Sequence, residues 1–421
     1  MTDFLRLFEY DTVPVALSER RARRLDAEAG GYLSVSPHPD PGIWSVTARE
    51  HVGTLVVDDM RILIRPKIRL ENLFLMLEVG LPERAWRKED FDYATNPDLL
   101  QSLVSFYART LETTLARGLY RSYRNRDEDL KAIRGRIDFG RQLSRARLPM
   151  PVACRYGEFT SDVIENRGLR AAIRLSLRVP GVQAMDRRRL MRELVAMEEV
   201  SDAPVAGDEL QRVHYTRLND HYRPALGLAR LLLDNLTLVD RRGGTTAASF
   251  MVNMNNLFEK FVTQRLSRAL QGHLLVEGQK DDYLDVGRQV GIRPDLRFRR
   301  PSSDSITYVG DIKYKLTDDA VARSADYYQL LAYTTALDLP EGVLIYCHAD
   351  GGKPAGEITV RHAGTRLHVC AVNLSGSPTE VSKQIDGLAT WIAERSGRVR
   401  PQGPLGVTRP AESFPRQLSS V

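Results

Sequence analysis

Hydrophobic residues recur along this 421-residue chain with two periods, one typical of strands and one typical of helices. Alternation with a period of two predicts strands near 5–10, 44–48, 53–57 and 60–68. Asp58 and Asp59 separate the last two strands and predict a tight turn. A charged segment at 17–28 has helical spacing instead. We therefore predict a β-rich N-terminal domain over residues 1–92.

Longer segments with helical spacing dominate the middle of the chain. Hydrophobic residues recur every three or four positions within 99–123, 162–178, 185–200 and 217–235. A short helix is also predicted at 70–79, before a connector at 81–97 that is rich in proline and charge. Turn-forming residues at 241–246 follow the last helix. We predict a mostly helical middle domain over residues 93–248.

Helices and strands alternate in the last third of the chain. The predicted strands lie near 273–277, 283–286, 292–298, 308–315, 343–347, 357–361 and 367–372. Helices are predicted before the first strand, at 324–337 and at 378–395. This order predicts a mixed sheet flanked by helices over residues 249–397, in a multidomain protein of α+β or α/β class. The proline-rich residues 398–421 are expected to form a disordered tail.

The strand pair at 292–315 carries the residues that suggest a chemical function. With a period of two, Asp295 lies on the polar face of the first strand, and Asp311 and Lys313 share one face of the second. The connection at 300–305 is short enough for a hairpin. These three side chains are therefore expected to share one face of a two-stranded ribbon.

Two carboxylates and a lysine on one face suit the hydrolysis of a phosphodiester. Asp295, Asp311 and the backbone carbonyl of Ile312 are hard oxygen ligands of the kind that Mg²⁺ prefers. Lys313, about 7 Å along the strand from Asp311, could neutralise charge on phosphorus or help to deprotonate the attacking water. The same residues could instead form a solvated face with salt bridges, as most Asp-x-Lys triplets do.

Helices on either side of the strand pair add polar residues in a defined order. Upstream, Glu259 lies beside an apolar helical stripe. Downstream, Gln329 and Tyr333 are four residues apart and share one face of the predicted helix. The order of helix acid, Pro-Asp, Asp-x-Lys and Gln-x-x-x-Tyr favours a catalytic site over a solvated face.

Composition limits the kind of protein. The net charge of +6 permits a polyanionic partner such as DNA, although this excess is modest. No run of about eighteen apolar residues and no signal peptide occurs, which predicts a cytoplasmic protein that does not enter the membrane. The three cysteines lack metal-binding spacing and are expected to be reduced. No phosphate-binding loop motif occurs, so this chain is not expected to bind a nucleotide.

The ordered motifs resemble the PD-(D/E)xK nuclease superfamily, in the branch with a RecB-like Gln-x-x-x-Tyr helix. The resemblance implies that Asp295 and Asp311 bind Mg²⁺ or Mn²⁺, that Lys313 is the catalytic lysine, and that Glu259 completes the site. Polar side chains after the second strand are assigned to positioning DNA or the site itself: Lys315, Gln329 and Tyr333.

Segments outside this module resemble the McrC family, over residues 1 to about 397. They lie at 53–57, 64–68, 117–123, 134–139, 158–160 and 165–172. McrC proteins are the nuclease subunits of McrBC restriction systems, which cut DNA with modified cytosines such as 5-methylcytosine. The resemblance implies a McrB-like hexameric AAA+ GTPase as partner, whose ring the N-terminal part enters and whose GTP hydrolysis it stimulates.

Other interpretations stay open at this point. The chain could be a ring-docking regulatory subunit with a lapsed nuclease site, although such a site would be free to lose one of its three residues. It could also be a stand-alone RecB-like repair nuclease that cuts unmodified DNA. Arg134 and Arg136 flank a glycine in a turn that is either a binding surface or only structural. The arginines at 20–24 form a solvated helix face or a DNA contact.

Overall fold

The computed structural model of the protein describes residues 4–77, 99–144, 150–240, 246–315, 324–348 and 356–398. The predicted connector at 81–97, the turn residues 241–245 and the tail after residue 398 lie outside these ranges. The described residues form helices and several sheets, which confirms the α+β class. None of the described helices is both long enough and apolar enough to cross a membrane.

The N-terminal part is rich in strands, as its alternating pattern predicts. Its elements are β1 (Phe4–Phe8), β2 (Thr12–Ala16), α1 (Glu19–Ala29), β3 (Leu33–Pro37), β4 (Ile43–Ala48), β5 (His51–Val57), β6 (Met60–Arg65) and α2 (Leu70–Leu77). The predicted tight turn is confirmed, because Val57 pairs with Met60 and Asp58 has a left-handed φ of 51°. Arg21, Arg23 and Arg24 on α1 pair with nearby acids, which favours a solvated helix face.

The middle of the chain combines helices with a sheet that the hydrophobic pattern does not predict. Its elements are α3 (Leu99–Leu115), β7 (Ser122–Leu130), β8 (Arg136–Ile137), α4 (Phe139–Ser144), β9 (Val152–Thr160), α5 (Ile164–Leu177), α6 (Ala184–Ala196), α7 (Gly207–Gln211), a 3-10 helix (Asp220–Tyr222), α8 (Arg223–Asn235), β10 (Leu236–Asp240) and β11 (Thr246–Asn253). The predicted helix at 99–123 is too long, since α3 ends at Leu115 and β7 begins at Ser122. Strand β7 is polar on both faces, so period-two alternation gives no signal there.

The glycine between Arg134 and Arg136 forms the predicted turn. Gly135 has a left-handed φ of 71°, and an added Cβ would lie 2.5 Å from the backbone oxygen of Arg155. Arg134 lies over the ring of Tyr156, with 4.2 Å between the guanidinium carbon and the ring centroid. These contacts give the turn a structural role.

Distant parts of the chain share one five-stranded sheet. Its order is β1-β6-β5-β11-β10, with β1 parallel to β6 and β11 antiparallel to β5. At Gly53 in β5 an added Cβ would lie 1.9 Å from the backbone oxygen of Phe250, so the two strands can approach here only because the residue is glycine. The predicted boundary at residue 248 lies inside β11.

The C-terminal part forms a mixed sheet flanked by helices, as predicted. Its elements are α9 (Met254–Ala269), β12 (Leu275–Gly278), β13 (Asp282–Tyr283), β14 (Gly291–Ile292), β15 (Leu296–Arg299), β16 (Ile306–Lys313), α10 (Ser324–Ala336), β17 (Glu341–His348), β18 (Glu357–Thr359), β19 (Arg366–Asn373) and α11 (Pro378–Arg398). The sheet order is β12-β15-β16-β17-β19-β18, and β16, β17 and β19 run parallel.

Strand β16 separates two hydrophobic cores. Tyr308, Ile312 and Tyr314 belong to the core that includes α9 and α11, whereas Val309 belongs to the core that includes α10. The predicted alternation along this strand is therefore confirmed. Asp311 shares the face of Val309, because side chains two residues apart point to the same side.

The predicted hairpin of β15 and β16 is confirmed, but its first strand is shorter than expected. Gly291 and Ile292 pair with β13, and β15 begins only at Leu296. Pro294 has no N–H to donate to a ladder and interrupts the strand. Asp295 therefore lies one residue before β15 rather than inside a strand.

Candidate active site

Asp295 and Asp311 meet at the open end of the β15–β16 hairpin. Leu296 pairs with Gly310, so the antiparallel register places Asp295 opposite Asp311. The backbone N–H of Ile312 donates to Asp295 Oδ2 at 2.8 Å. Since the N–H and C=O of a strand residue point to the same neighbour, the Ile312 carbonyl also faces Asp295. The structure thus brings together the three oxygen groups that the sequence analysis singles out.

Lys313 extends from the face of β16 that carries Asp311. Its Nζ atom lies 2.6 Å from Asp311 Oδ2. The side chain of Asp311 is 1% exposed and that of Lys313 is 23% exposed. The carboxyl group is therefore enclosed, while the amine reaches the surface at which a substrate phosphate could arrive.

Burial makes this site unfavourable for negative charge. Burial raises the pKa of Asp311 to about 7, and the charge of Asp295 adds to that shift. Burial also raises the pKa of Asp295. For Lys313, burial acts against the charged form, but Asp311 and Asp295 outweigh it and raise the pKa of the amine. One ammonium group therefore leaves the two acids only partly neutralised, and a cation would correct the imbalance.

Glu259 lies at the edge of the site, on α9. Burial raises its pKa, and the charges of Asp311 and Lys313 both act on it, so it is near these residues. Its Oε1 atom accepts a hydrogen bond from Nε2 of Gln279, which follows β12. Gln279 cannot be identified from the sequence, because no motif surrounds it and its contact with Glu259 depends on the fold.

The predicted Gln-x-x-x-Tyr pair is tied to the segment that carries Asp295. Gln329 Nε2 donates to Tyr333 Oη at 2.6 Å, and Tyr333 Oη donates to the backbone oxygen of Arg293 at 3.3 Å. Tyr333 is buried, and burial raises its pKa to about 12. This arrangement favours a role in positioning the site, since Arg293 is two residues before Asp295.

Lys315 joins the end of β16 to α10. Its Nζ atom forms an ion pair with Asp326, whose Oδ2 also accepts a hydrogen bond from Tyr346 Oη at 2.5 Å. Asp326 is 6% exposed. Asp326 and Tyr346 cannot be linked to Lys315 from the sequence, because they meet it only after α10 and β17 have packed against β16.

A family model described as the McrBC 5-methylcytosine restriction system component matches residues 46–347. The matched range covers most of the chain and includes Glu259, Asp295, Asp311 and Lys313. The chain belongs to the McrBC family. This result confirms the resemblance to the McrC family.

Solved structures of McrBC assemblies resemble the chain. One is a half-complex from a tetradecameric assembly of Thermococcus gammatolerans McrB AAA+ hexamers with bound McrC, with a TM-score of 0.55, 20% identity, 92% of this chain covered and 100% of that chain. Another is a Thermococcus gammatolerans McrBC complex, with a TM-score of 0.42, 23% identity, 63% of this chain covered and 88% of that chain. No curated protein matches the chain. The first of these similarities shows a shared fold.

The donor set of this McrBC-family chain fits a hard divalent cation. A buried carboxylate (Asp311), a half-buried one (Asp295) and a backbone carbonyl converge there, and both acids have raised pKa values. Mg²⁺ typically takes one or two carboxylates and completes its shell with water and phosphate oxygens. Across the described ranges, no group of three or more His, Cys, Asp or Glu side chains is arranged to hold a metal ion. Asp295, Asp311 and the Ile312 carbonyl would hold the cation, and Glu259 is the acid nearby that would complete the site.

Proposed function

We propose that this chain is the DNA endonuclease subunit of a GTP-dependent restriction system of the McrBC type. It hydrolyses phosphodiester bonds of double-stranded DNA that carries modified cytosines. The convergence of Asp295, Asp311 and Lys313 on one hairpin carries this proposal, because two acids and a lysine are the groups that a PD-(D/E)xK nuclease requires. Membership of the McrBC family supplies the class of substrate.

The chain's own residues divide the chemical work. When bound, Mg²⁺ or Mn²⁺ supplies Lewis acidity and an activated water. Asp295 and Asp311 hold the cation, and the hydrogen bond from Ile312 to Asp295 fixes the first carboxylate. The Nζ atom of Lys313, 2.6 Å from Asp311 and partly exposed, is placed to stabilise charge on the phosphate or to help deprotonate the attacking water.

The partner that we propose is a McrB-like hexameric AAA+ GTPase. The chain has no phosphate-binding loop motif, so a motor and its nucleotide would belong to another subunit. The similar Thermococcus gammatolerans assembly contains McrB AAA+ hexamers with bound McrC. We assign partner docking and stimulation of GTP hydrolysis to the N-terminal domain, residues 1–92, and DNA cleavage to residues 249–397.

The decisive experiment separates cleavage from partner binding. We expect Lys313→Ala and Asp311→Asn to abolish cleavage of methylated DNA in the presence of partner, GTP and Mg²⁺, while GTPase stimulation is retained. Matched controls are Lys383→Ala and Asp386→Asn, two exposed positions on α11, which should cut like the wild type. Cleavage by both site variants would contradict the site assignment.

A second measurement separates the proposal from a stand-alone repair nuclease. The purified chain is incubated with unmodified DNA and Mg²⁺ but without the GTPase. We expect no cleavage, because cutting depends on the partner. Efficient cutting under these conditions would favour the repair function instead.

A further inference from the structure

A buried carboxyl group from the N-terminal sheet reaches the strand that carries Lys313. Glu9 follows β1 directly and is 0% exposed. Its Oε1 atom accepts hydrogen bonds from the backbone N–H of Lys67 at 2.8 Å and from Tyr314 Oη at 2.8 Å. The second bond joins residues 305 positions apart in sequence.

Tyr314 lies next to two elements of the candidate site. It follows Lys313 directly. Because successive side chains of a strand point to opposite faces, the Tyr314 side chain lies on the face opposite to that of Lys313. Its ring packs against Phe258, with 5.8 Å between centroids, and Phe258 directly precedes Glu259. Tyr314 therefore links the end of β16, which carries Lys313, to α9, which carries Glu259, and its hydroxyl group is held by Glu9.

The neighbouring residue of the N-terminal turn makes a further link to the same elements. Tyr10 lies close to the side chain of Asn255, which is in the first turn of α9. Tyr10 adopts a left-handed φ of 62°, which is uncommon for a residue other than glycine. The turn at Glu9 and Tyr10 therefore lies between the end of β16, to which Glu9 is hydrogen-bonded, and the start of α9.

We propose that Glu9 is a positioning residue for the nuclease reaction, which acts through Tyr314 to fix the end of β16 and the direction of the Lys313 side chain. This inference rests on the proposed function. It also makes the N-terminal sheet, to which we assign partner docking, a structural part of the nuclease site.

Three substitutions, Tyr314→Phe, Glu9→Gln and Glu9→Ala, test the link without removing a ring or a charged group of the nuclease site. Tyr314→Phe removes the donor but keeps the contact with Phe258, and Glu9→Gln keeps an oxygen that can accept from Tyr314. We expect Tyr314→Phe and Glu9→Ala to lower kcat for DNA cleavage roughly tenfold, with KM within about twofold, since small displacements of catalytic groups reduce rate more than binding. Glu9→Gln should recover most of the rate lost in Glu9→Ala.

Asn72→Ala is the matched control. Asn72 on α2 is 0% exposed, and its Nδ2 donates to the backbone oxygens of Leu374 and Gly376 at 2.6 and 2.7 Å. It therefore also joins the N-terminal part to the C-terminal part through a buried side chain, but away from β16. We expect its kcat to stay near that of the wild type when all variants are assayed below their unfolding temperatures.

Mn²⁺ affinity of the full chain, measured by calorimetry without DNA or partner, separates this inference from the proposed function. Tyr314→Phe should weaken Mn²⁺ binding severalfold, because Ile312 and Asp311 lie on the same strand end, and Asn72→Ala should not. A wild type that binds Mn²⁺ but never cuts DNA would contradict the nuclease proposal alone. The positioning role is wrong if Tyr314→Phe has the kcat and the Mn²⁺ affinity of the wild type. It is also wrong if Asn72→Ala lowers kcat and Mn²⁺ affinity as much as Tyr314→Phe does.

Discussion

A buried carboxyl group such as that of Asp311 is stable only when a proton or a cation accompanies it. Lys313 supplies one positive charge at 2.6 Å, but burial and the charge of Asp295 still raise the pKa of Asp311 to about 7. The charged form of Asp311 therefore lowers the stability of the metal-free protein at neutral pH. The same charged form is the one that a divalent cation would bind. Such costs are expected at functional sites.

The pH dependence of stability follows from the sign of this shift. An acid whose pKa rises from 3.8 to about 7 on folding contributes stability that is complete below pH 3.8 and is lost as the pH rises through about 7. In EDTA, we expect Asp311→Asn to be more stable than the wild type by roughly 1–3 kcal/mol at pH 8, and by less than half of that difference at pH 5. Thermal unfolding at both pH values measures the difference.

Mg²⁺ provides the control for this prediction. It should raise the unfolding temperature of the wild type at pH 8 and leave Asp311→Asn nearly unchanged, because the variant lacks a charged ligand. Glu9, whose pKa burial also raises to about 7, keeps part of the pH dependence in both proteins. If Asp311→Asn is less stable than the wild type at pH 8, then the negative charge of Asp311 does not destabilise the folded protein.

The sequence predicts those site residues that lie in one short pattern. Asp295, Asp311 and Lys313 fall within 19 positions, and strand periodicity is enough to place them together. Glu9 and Gln279 are also near the site, but neither of them lies in a recognisable sequence motif. Their contacts arise only when distant elements pack, so no local signal could have identified them.

At the scale of elements, helix α10 holds the loop before β15 in place. Tyr333 donates to the Arg293 carbonyl and accepts from Gln329. We expect Tyr333→Phe to lower the cleavage rate about threefold to tenfold and to cost about 1 kcal/mol of stability, since it removes one hydrogen bond but keeps the buried ring. Single-turnover cleavage and chemical unfolding measure the two effects.

Tyr328 on the same helix is a suitable control, because its side chain is exposed. It is 70% exposed, so Tyr328→Phe should alter neither rate nor stability measurably. If the two phenylalanine variants behave alike, then the hydrogen bond to Arg293 does not position the site.

The elements that periodicity predicts well are those with one apolar face. Helix α10 spans Ser324–Ala336 against a predicted 324–337, and β16 alternates between two cores as expected. Strand β7 was missed because neither of its faces is apolar. The first strand of the hairpin was predicted too long, because hydrophobic alternation continues through Pro294 although its missing N–H ends the pairing.

At the scale of the whole molecule, the N-terminal sheet and the C-terminal part are continuous. Strand β11 pairs with β5, and Asn253, its last residue, caps α9 by accepting from the backbone N–H of Asn256 at 3.0 Å. Sequence patterns cannot reveal this pairing, because the two strands are about 200 residues apart and each alternates like any other strand. The sheet therefore extends past the predicted boundary at residue 248 into the helix that bears Glu259.

This continuity predicts that the two parts unfold together. Phe250 in β11 is 0% exposed and belongs to the core that also contains residues of α9 and β16. Phe250→Ala should lower the free energy of unfolding by about 3–5 kcal/mol. We expect it to accelerate hydrogen exchange in peptides from both β5 and β16, whereas Phe139→Ala, at a side chain that is 66% exposed, should change neither. Faster exchange in β5 alone would mean that the C-terminal part is stable without the N-terminal sheet, and that the contacts of Glu9 and Asn72 are not needed to hold it.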